Sequence, residues 1–183
     1  GGISADDVSF SPDKQWIAYI SFPERQLWRS RIDGSEKLQL TFTTSSPAFF
    51  TRWSPDGSQI SFVSNEPGNA SLYLVRRDGG SPRVLYSGTS IVRPTWLDGA
   101  RIVFAAAPKV PEEGDIKVLE VKTGQVSTLP DSIGLILPVV SPDGHYLASS
   151  TADGRKLKLY DFNTRTWLEL TPPGVGFTDW SAD

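Results

Sequence analysis

A turn motif that returns at a fixed interval constrains this chain more than any other feature of its sequence. It reads SFSPDK over Ser9 to Lys14, RWSPDG over Arg52 to Gly57, TWLDGA over Thr95 to Ala100, VVSPDG over Val139 to Gly144 and DWSAD over Asp179 to Asp183. The residue heading each copy is Phe10, Trp53, Trp96, Val140 or Trp180, at intervals of 43, 43, 44 and 40 residues. Periods of this kind mark arrays in which one supersecondary unit stacks on the next, because a single unit cannot bury its apolar faces alone.

Within each period the same order returns: an apolar run, a polar loop, a second run, a tight turn and a third run. The first runs are QWIAYISF, QISFVS, RIVFAAA and HYLASS, and the second are QLWRSRI, SLYLVRR, IKVLEV and LKLYDF. Alternating runs rich in Ile, Val, Tyr and Phe predict strands, and Asp-Gly pairs such as Asp33-Gly34 and Asp78-Gly79 predict hairpins. With the short run entering each motif counted, every period holds four strands, and no segment carries a helical apolar period. The chain is expected to be all-β: a β-propeller of four four-stranded antiparallel blades, approximately 5–42, 48–87, 91–130 and 135–172, plus the first strand of a fifth at 175–183. Serine, proline, aspartate and glycine in that order suit the corners of a type I turn. Ser54 to Gly57 therefore reads as the turn between a blade's inner two strands, and Trp53 as a residue packed between blades.

The stretches FSPD, WSPDG and VSPDG, each followed by a strand and then by Asp-Gly or a relative before the outer strand, resemble the TolB-type (WD40-like) propeller repeats. The third copy departs from the pattern by losing Ser-Pro, and the fourth by carrying Val140 in place of tryptophan. Similar repeats occur in periplasmic TolB, in the amino-terminal propellers of prolyl-peptidase-like enzymes and in carboxy-terminal sensor-like regions of bacterial regulators and kinases. The resemblance implies a ring of about six blades, which needs roughly 260 residues. A fragment of a larger propeller is therefore expected, as is also suggested by the absence of methionine. Its open sheet faces are expected to bind missing blades or another copy of the chain. An extracytoplasmic compartment is favoured over the cytoplasm.

Composition narrows the function further. Eighteen basic and 21 acidic residues are scattered in both signs, net -3, with no Lys/Arg block to neutralise phosphates, so nucleic acid is not expected as a partner. No apolar run approaches the ~20 residues that cross a bilayer, and no membrane contact is expected of this segment. Without cysteine there is no thiolate chemistry. The one histidine, His145, follows a turn and starts a strand, which suits a solvent-facing side chain better than a catalytic base. No nucleophile elbow, phosphate loop or zinc pair occurs. Asp13, Asp56, Asp98, Asp143 and Asp183 recur once per period, too far apart to converge on one cation, and no cofactor or metal is expected.

Recognition remains. In an up-and-down blade, the loop entering the innermost strand and the loop joining the second and third strands share one face. That face receives 43–52, 86–94, 130–138 and 171–177, with the insertions at 65–70 and 108–115. Phe49, Phe50, Arg52 and Arg93 are the sharpest binding candidates, because aromatics and arginines dominate hot spots; Glu112 and Glu113 add a dense acidic tip. The competing structural reading packs the phenylalanines beneath the loop, pairs the arginines with neighbouring carboxylates and leaves the glutamates solvated. The expected function is a non-enzymatic module of a larger bacterial protein, binding a protein, peptide or small ligand. The alternative is an accessory propeller gating a serine peptidase or hydrolase.

Overall fold

A computed structural model describes residues 4–42, 46–66, 68–107, 110–170 and 179–181. Its strands form four antiparallel sheets of four, each taken in chain order. The first holds β1 (Ala5–Phe10), β2 (Trp16–Ser21), β3 (Leu27–Arg31) and β4 (Leu38–Gln39); the second β5 (Ala48–Trp53), β6 (Gln59–Glu66), β7 (Asn69–Arg76) and β8 (Arg83–Gly88). The third holds β9 (Val92–Trp96), β10 (Arg101–Ala106), β11 (Asp115–Glu120) and β12 (Val126–Thr128); the fourth β13 (Leu135–Val140), β14 (Tyr146–Thr151), β15 (Leu157–Asp161) and β16 (Thr166–Leu170). A short 3-10 helix, Pro111–Glu113, interrupts the connection between β10 and β11. The chain divides into two compact units, Gly1–Gly88 with the first two sheets and Thr89–Asp183 with the last two. The segment expected to open a fifth blade lies outside the described residues except for Asp179 to Ser181.

The second strand of each sheet lies deepest. Ile60 to Ser64 on β6, Ile102 to Ala105 on β10 and Leu147 to Ser150 on β14 are buried without a break, so both faces of these strands are covered. That explains why their sequences mix branched and aromatic residues with small Ser and Ala rather than alternating strictly with charge. In the first unit Ile60, Phe62 and Val75 of the second sheet join Trp16, Ala18, Ile20 and Leu27 of the first in one core. In the second unit Val103, Ala105 and Ile116 join Leu135, Val140, Leu147 and Tyr160 in another. Each fully buried Ile or Leu stabilises such a core by about 1.5–3 kcal/mol.

In the first unit the heading residue Trp53 seats the second sheet on the first. Trp53, 7% exposed, donates its indole N–H to the Ser9 carbonyl of β1 at 3.1 Å. Trp180 repeats the bond on β13, donating to the Val139 carbonyl at 3.0 Å. A large apolar ring with one directional donor fixes both depth and register.

A bulge recurs at the entry of the inner strands. Between Phe49 and Arg52, between Val92 and Thr95, and between Ile136 and Val139, the inner strand carries two residues opposite one on its partner. The first of the two takes a positive φ in every case: Phe50 at 54°, Arg93 at 48° and Leu137 at 55°. The second is buried: Thr51, Pro94 and Pro138. A bulge removes one residue from the ladder, so its N–H needs another acceptor. Proline solves this in the third and fourth sheets by having no N–H. Thr51 keeps its N–H, and the Asp7 carboxylate accepts it at 2.7 Å.

Asp7→Ala is therefore expected to destabilise the protein by about 1–3 kcal/mol, the cost of orphaning a buried donor. Thr51→Pro in the same chain is expected to recover most of that loss. Urea unfolding of the single and double variants measures both, and equal losses with and without proline would contradict the bulge account.

Candidate functional site

Chemistry at the repeated turns is decided by the direction of their hydrogen bonds. The Ser54 hydroxyl is buried; it donates to Asp56 Oδ1 at 2.6 Å and accepts from the Gln59 N–H at 3.0 Å. Asp56 Oδ1 also accepts from the Ser58 N–H at 3.0 Å. Ser11 repeats the wiring with Asp13 at 2.6 Å and the Trp16 N–H at 2.9 Å, and Ser141 with Asp143 at 2.5 Å and the Tyr146 N–H at 2.9 Å. The fourth corner has positive φ in all three, Lys14, Gly57 and Gly144. At Gly144 space adds to conformation, since a Cβ would stand 3.0 Å from the Leu97 carbonyl oxygen. The third turn lacks serine, and Asp98 instead accepts both the Ala100 and Arg101 N–H groups at 2.8 Å and the Arg101 guanidinium at 2.6 and 2.8 Å.

The fourth turn sets serine, aspartate and histidine side by side, and their order still excludes a triad. His145 Nδ1 lies 3.3 Å from Asp143 Oδ2, while the Ser141 proton goes to the other oxygen of the same carboxylate. In a triad the imidazole stands between hydroxyl and carboxylate and takes the serine proton. Here the carboxylate stands between, and the hydroxyl is buried. Among the described residues no three of His, Asp and Glu converge as metal ligands would.

Hydroxyl donation from Ser11, Ser54 and Ser141, followed by backbone N–H donation, holds the carboxyls of Asp13, Asp56 and Asp143 below their usual value. At Asp98 burial pushes the carboxyl up, but the Arg101 and Ala100 hydrogen bonds outweigh it and the net direction is down. Carboxyls depressed in the folded state add stability above the unfolded value of about 4 and lose it as pH falls through the lower folded value. The predicted outcome is stability that is flat in these groups above about pH 5 and declines below pH 4. Ser54→Ala is expected to lower stability at neutral pH and to flatten that acid decline, measured by urea unfolding between pH 7 and 3.

The candidate face is best described unit by unit. In the first unit β5 brings Phe49, Phe50 and Arg52 together, all half-buried, with the two rings 6.5 Å apart. Arg52 Nη1 donates to the Thr51 carbonyl at 2.7 Å and stands 3.7 Å from Asp7 Oδ1. Arg25, from the connection between β2 and β3, lies over the Phe49 ring at 5.3 Å and the Phe22 ring at 5.8 Å, and pairs with Asp6 at 2.6 Å. Phe22 is 50% exposed. Arg25, Phe22 and Asp6 are absent from the sequence-based candidates, although the rule that puts second-to-third-strand loops on this face applies equally to SFPERQ at 21–26.

In the second unit Arg93 sits half-buried at its bulge. Glu112 and Glu113 are exposed on the short helix, whose Glu113 N–H bonds the Val110 carbonyl at 3.0 Å. That helix rests against the turn entering β13: the Gly134 N–H donates to the Gly114 carbonyl at 2.7 Å, and Glu112 O lies 3.4 Å from where a Gly134 Cβ would be. Leu137, half-buried, holds the same repeat position as Phe50 and Arg93 and was not among the sequence-based candidates.

Four-stranded antiparallel sheets joined in chain order, with Trp53 packed between the first two and Ser-x-Asp turns closing the inner hairpins of three of them, define a β-propeller of the TolB-like class. Residues 26–144, well over half of the chain, match the lipoprotein LpqB β-propeller domain, and the chain belongs to that family. Over 74 residues it is 35% identical to dipeptidyl-peptidase 5 of Porphyromonas gingivalis, covering 36% of this chain and 11% of the peptidase. Among solved structures, TolB from Acinetobacter baumannii superposes with a TM-score of 0.74 at 20% identity, over 93% of this chain and 44% of that one. A protein described as TolB from Agrobacterium tumefaciens gives 0.72 at 19% identity, over 93% and 62%. The chain thus spans about half the length of these structures, and the likeness carries the fold alone.

Proposed function

We propose that the chain is a non-catalytic recognition module whose ligand, a peptide or protein segment, is held by side chains at the entries of the inner strands. The observation that carries this reading is the positive-φ bulge at Phe50, Arg93 and Leu137. A left-handed backbone costs a non-glycine residue about 1–2 kcal/mol, and bulges are a means of re-aiming a side chain. Three sheets keep that cost at one repeat position while the side chain changes from aromatic to cationic to aliphatic. Packing alone would favour one residue type, or glycine; a varied set on a constant backbone suits recognition. The wiring of Ser141, Asp143 and His145 supports the absence of catalysis. The lipoprotein in the family's description supports an extracytoplasmic location.

The likeness to a dipeptidyl-peptidase favours one second reading, an accessory propeller that gates a peptidase or hydrolase. The two readings part at the parent polypeptide: a hydrolase domain in it carries the gate, and a winged helix or kinase the sensor. Open faces supply a further class of partner. Phe10 is 64% exposed, whereas its repeat equivalents Trp53 and Val140 are 7% and 8% exposed. That contrast supports a further propeller blade, from the parent or a second copy, as the partner of the first sheet. Light scattering is expected to give a mass that rises with concentration and falls back to the monomer in Phe10→Lys; a monomer at all concentrations would contradict association between copies.

Phe50→Gly and Arg93→Gly separate recognition from stability, because glycine accepts the positive φ while removing the side chain. Both variants are expected to unfold at the same urea concentration as the parent sequence or higher, after the loss of side-chain contacts is set against relief of strain. Peptides selected from a random display library on the unaltered chain are expected to lose about tenfold or more in affinity for them. Unchanged affinity in both variants would sink the proposal.

A further inference from the structure

The first compact unit also holds a cleft of about 710 Å³ that is lined neither by the Ser-Pro-Asp turns nor by the bulge residues Phe50 and Thr51. One wall is a single face of β6, on which Phe62, Ser64 and Glu66 follow at the period-two spacing of a strand. Phe62 is paired directly with Tyr73 of β7, and their rings stack with centroids 5.2 Å apart and planes at 11°. Leu40 and Phe42, from the segment after β4, line the cleft as well; Leu40 is 2% exposed and Phe42 75%. From Phe62 to Glu66 the strand rises about 13 Å. Over that length the lining passes from aromatic to hydroxyl to carboxylate.

Two further observations point to a ligand. Ser64 is 6% exposed, and its hydroxyl is buried with no hydrogen-bond partner among the described residues. Native structures leave few such groups without a role, since a buried unpaired hydroxyl is costly. Glu66 is exposed and is the one charged side chain among the described residues lining the cleft. Its Oε1 accepts from Ser46 Oγ at 2.8 Å, which holds the carboxylate in place; a carboxylate has about four acceptor sites, so one such bond leaves capacity for a cation. Aromatic faces attract cations through their quadrupole and disfavour anions.

We infer that this cleft binds a small amphipathic amine, its apolar body against Phe42 and the Phe62–Tyr73 stack and its ammonium paired with Glu66 at the end where Ser64 lies beneath. An alcohol of the same shape keeps the apolar contacts and loses the charge. An acid of the same shape meets the Glu66 carboxylate with like charge.

The test is a ligand-observed NMR titration of the chain with tryptamine, tryptophol and indole-3-acetate. Tryptamine is expected to saturate with a dissociation constant of about 1 mM or tighter, at least about fivefold tighter than tryptophol, with indole-3-acetate weakest. Glu66→Gln, an exposed substitution at a strand end, is expected to remove the difference between tryptamine and tryptophol. Phe42→Ala, equally exposed, is expected to weaken both. No saturation by tryptamine, equal affinity for amine and alcohol on the unaltered chain, or indifference to either substitution would each overturn the assignment. The comparison of the three probes needs no variant and so stands if a variant fails to fold. Phe50→Gly leaves the expected amine affinity unchanged, which keeps this site distinguishable from the strand-entry face.

Discussion

The buried hydroxyl of Ser54 is the interaction on which the second sheet depends. By donating to Asp56 and accepting from the Gln59 N–H, it fixes the residue at which the chain reverses between β5 and β6. The register that follows puts Ile60 opposite Trp53 and aims Phe62 into the core shared with the first sheet. Both faces of β6 are buried, so slipping that register by one residue would exchange them and move each side chain out of the packing built for it. Ser11 and Ser141 set the inner hairpins of the first and fourth sheets in the same way, and Asp98 with Arg101 does so in the third by a different route. What a sheet needs is an acceptor inside the turn, and the sequence is free to supply it by more than one combination.

Once the hairpins are fixed, the crowded entries of the inner strands become the place where sequence variation is affordable in packing yet constrained in backbone. The bulge leaves one buried backbone N–H without a ladder partner, and the chain answers with Asp7 in one sheet and with proline in two others. The residue before it is left in the left-handed region with its side chain half-buried, free to be Phe, Arg or Leu. The position that holds the strand and the position proposed for recognition are thus adjacent: Asp7 and Thr51 hold the strand, and Phe50 precedes Thr51 at the bulge. Arg52 and Phe49 stand between the two roles, since Arg52 lies beside Asp7 and Phe49 lies under Arg25.

The period of the heading residues made the four sheets legible, and the corner order Ser-Pro-Asp-Gly made the turns legible, because both depend on local patterns. Long-range pairings were not. Arg25 over Phe49 joins a second-to-third-strand loop to the inner strand of the next repeat, a contact that leaves no pattern in the sequence; Asp7 and Thr51 lie on equivalent strands of successive repeats, but a carboxylate accepting a bulge N–H leaves no motif. Positive φ is usually announced by glycine or asparagine, so Phe50, Arg93 and Leu137 carry no sign of it by type. Their common position three residues before Trp53, Trp96 and Val140, with proline next in two copies, was the available signal. The acidic tip was legible as exposed, but its seat on the turn entering β13 comes from Gly134, which is distant in sequence. Of the cleft, the segments 43–52 and 65–70 that supply Ser46 and Glu66 were on the expected face, but Phe42, Phe62, Ser64 and Tyr73 were not, because its lining is drawn from several separate segments.

The central claim is that three inner strands share one left-handed entry that presents unlike side chains. The intraresidue amide-to-α-proton nuclear Overhauser effect tests it directly, because positive φ brings those two protons closer than any extended conformation does. Strong intraresidue cross-peaks are expected at Phe50, Arg93 and Leu137 and weak ones at their neighbours Phe49, Val92 and Ile136. Weak cross-peaks at all three bulge residues would mean extended strands without the shared entry, and would contradict it.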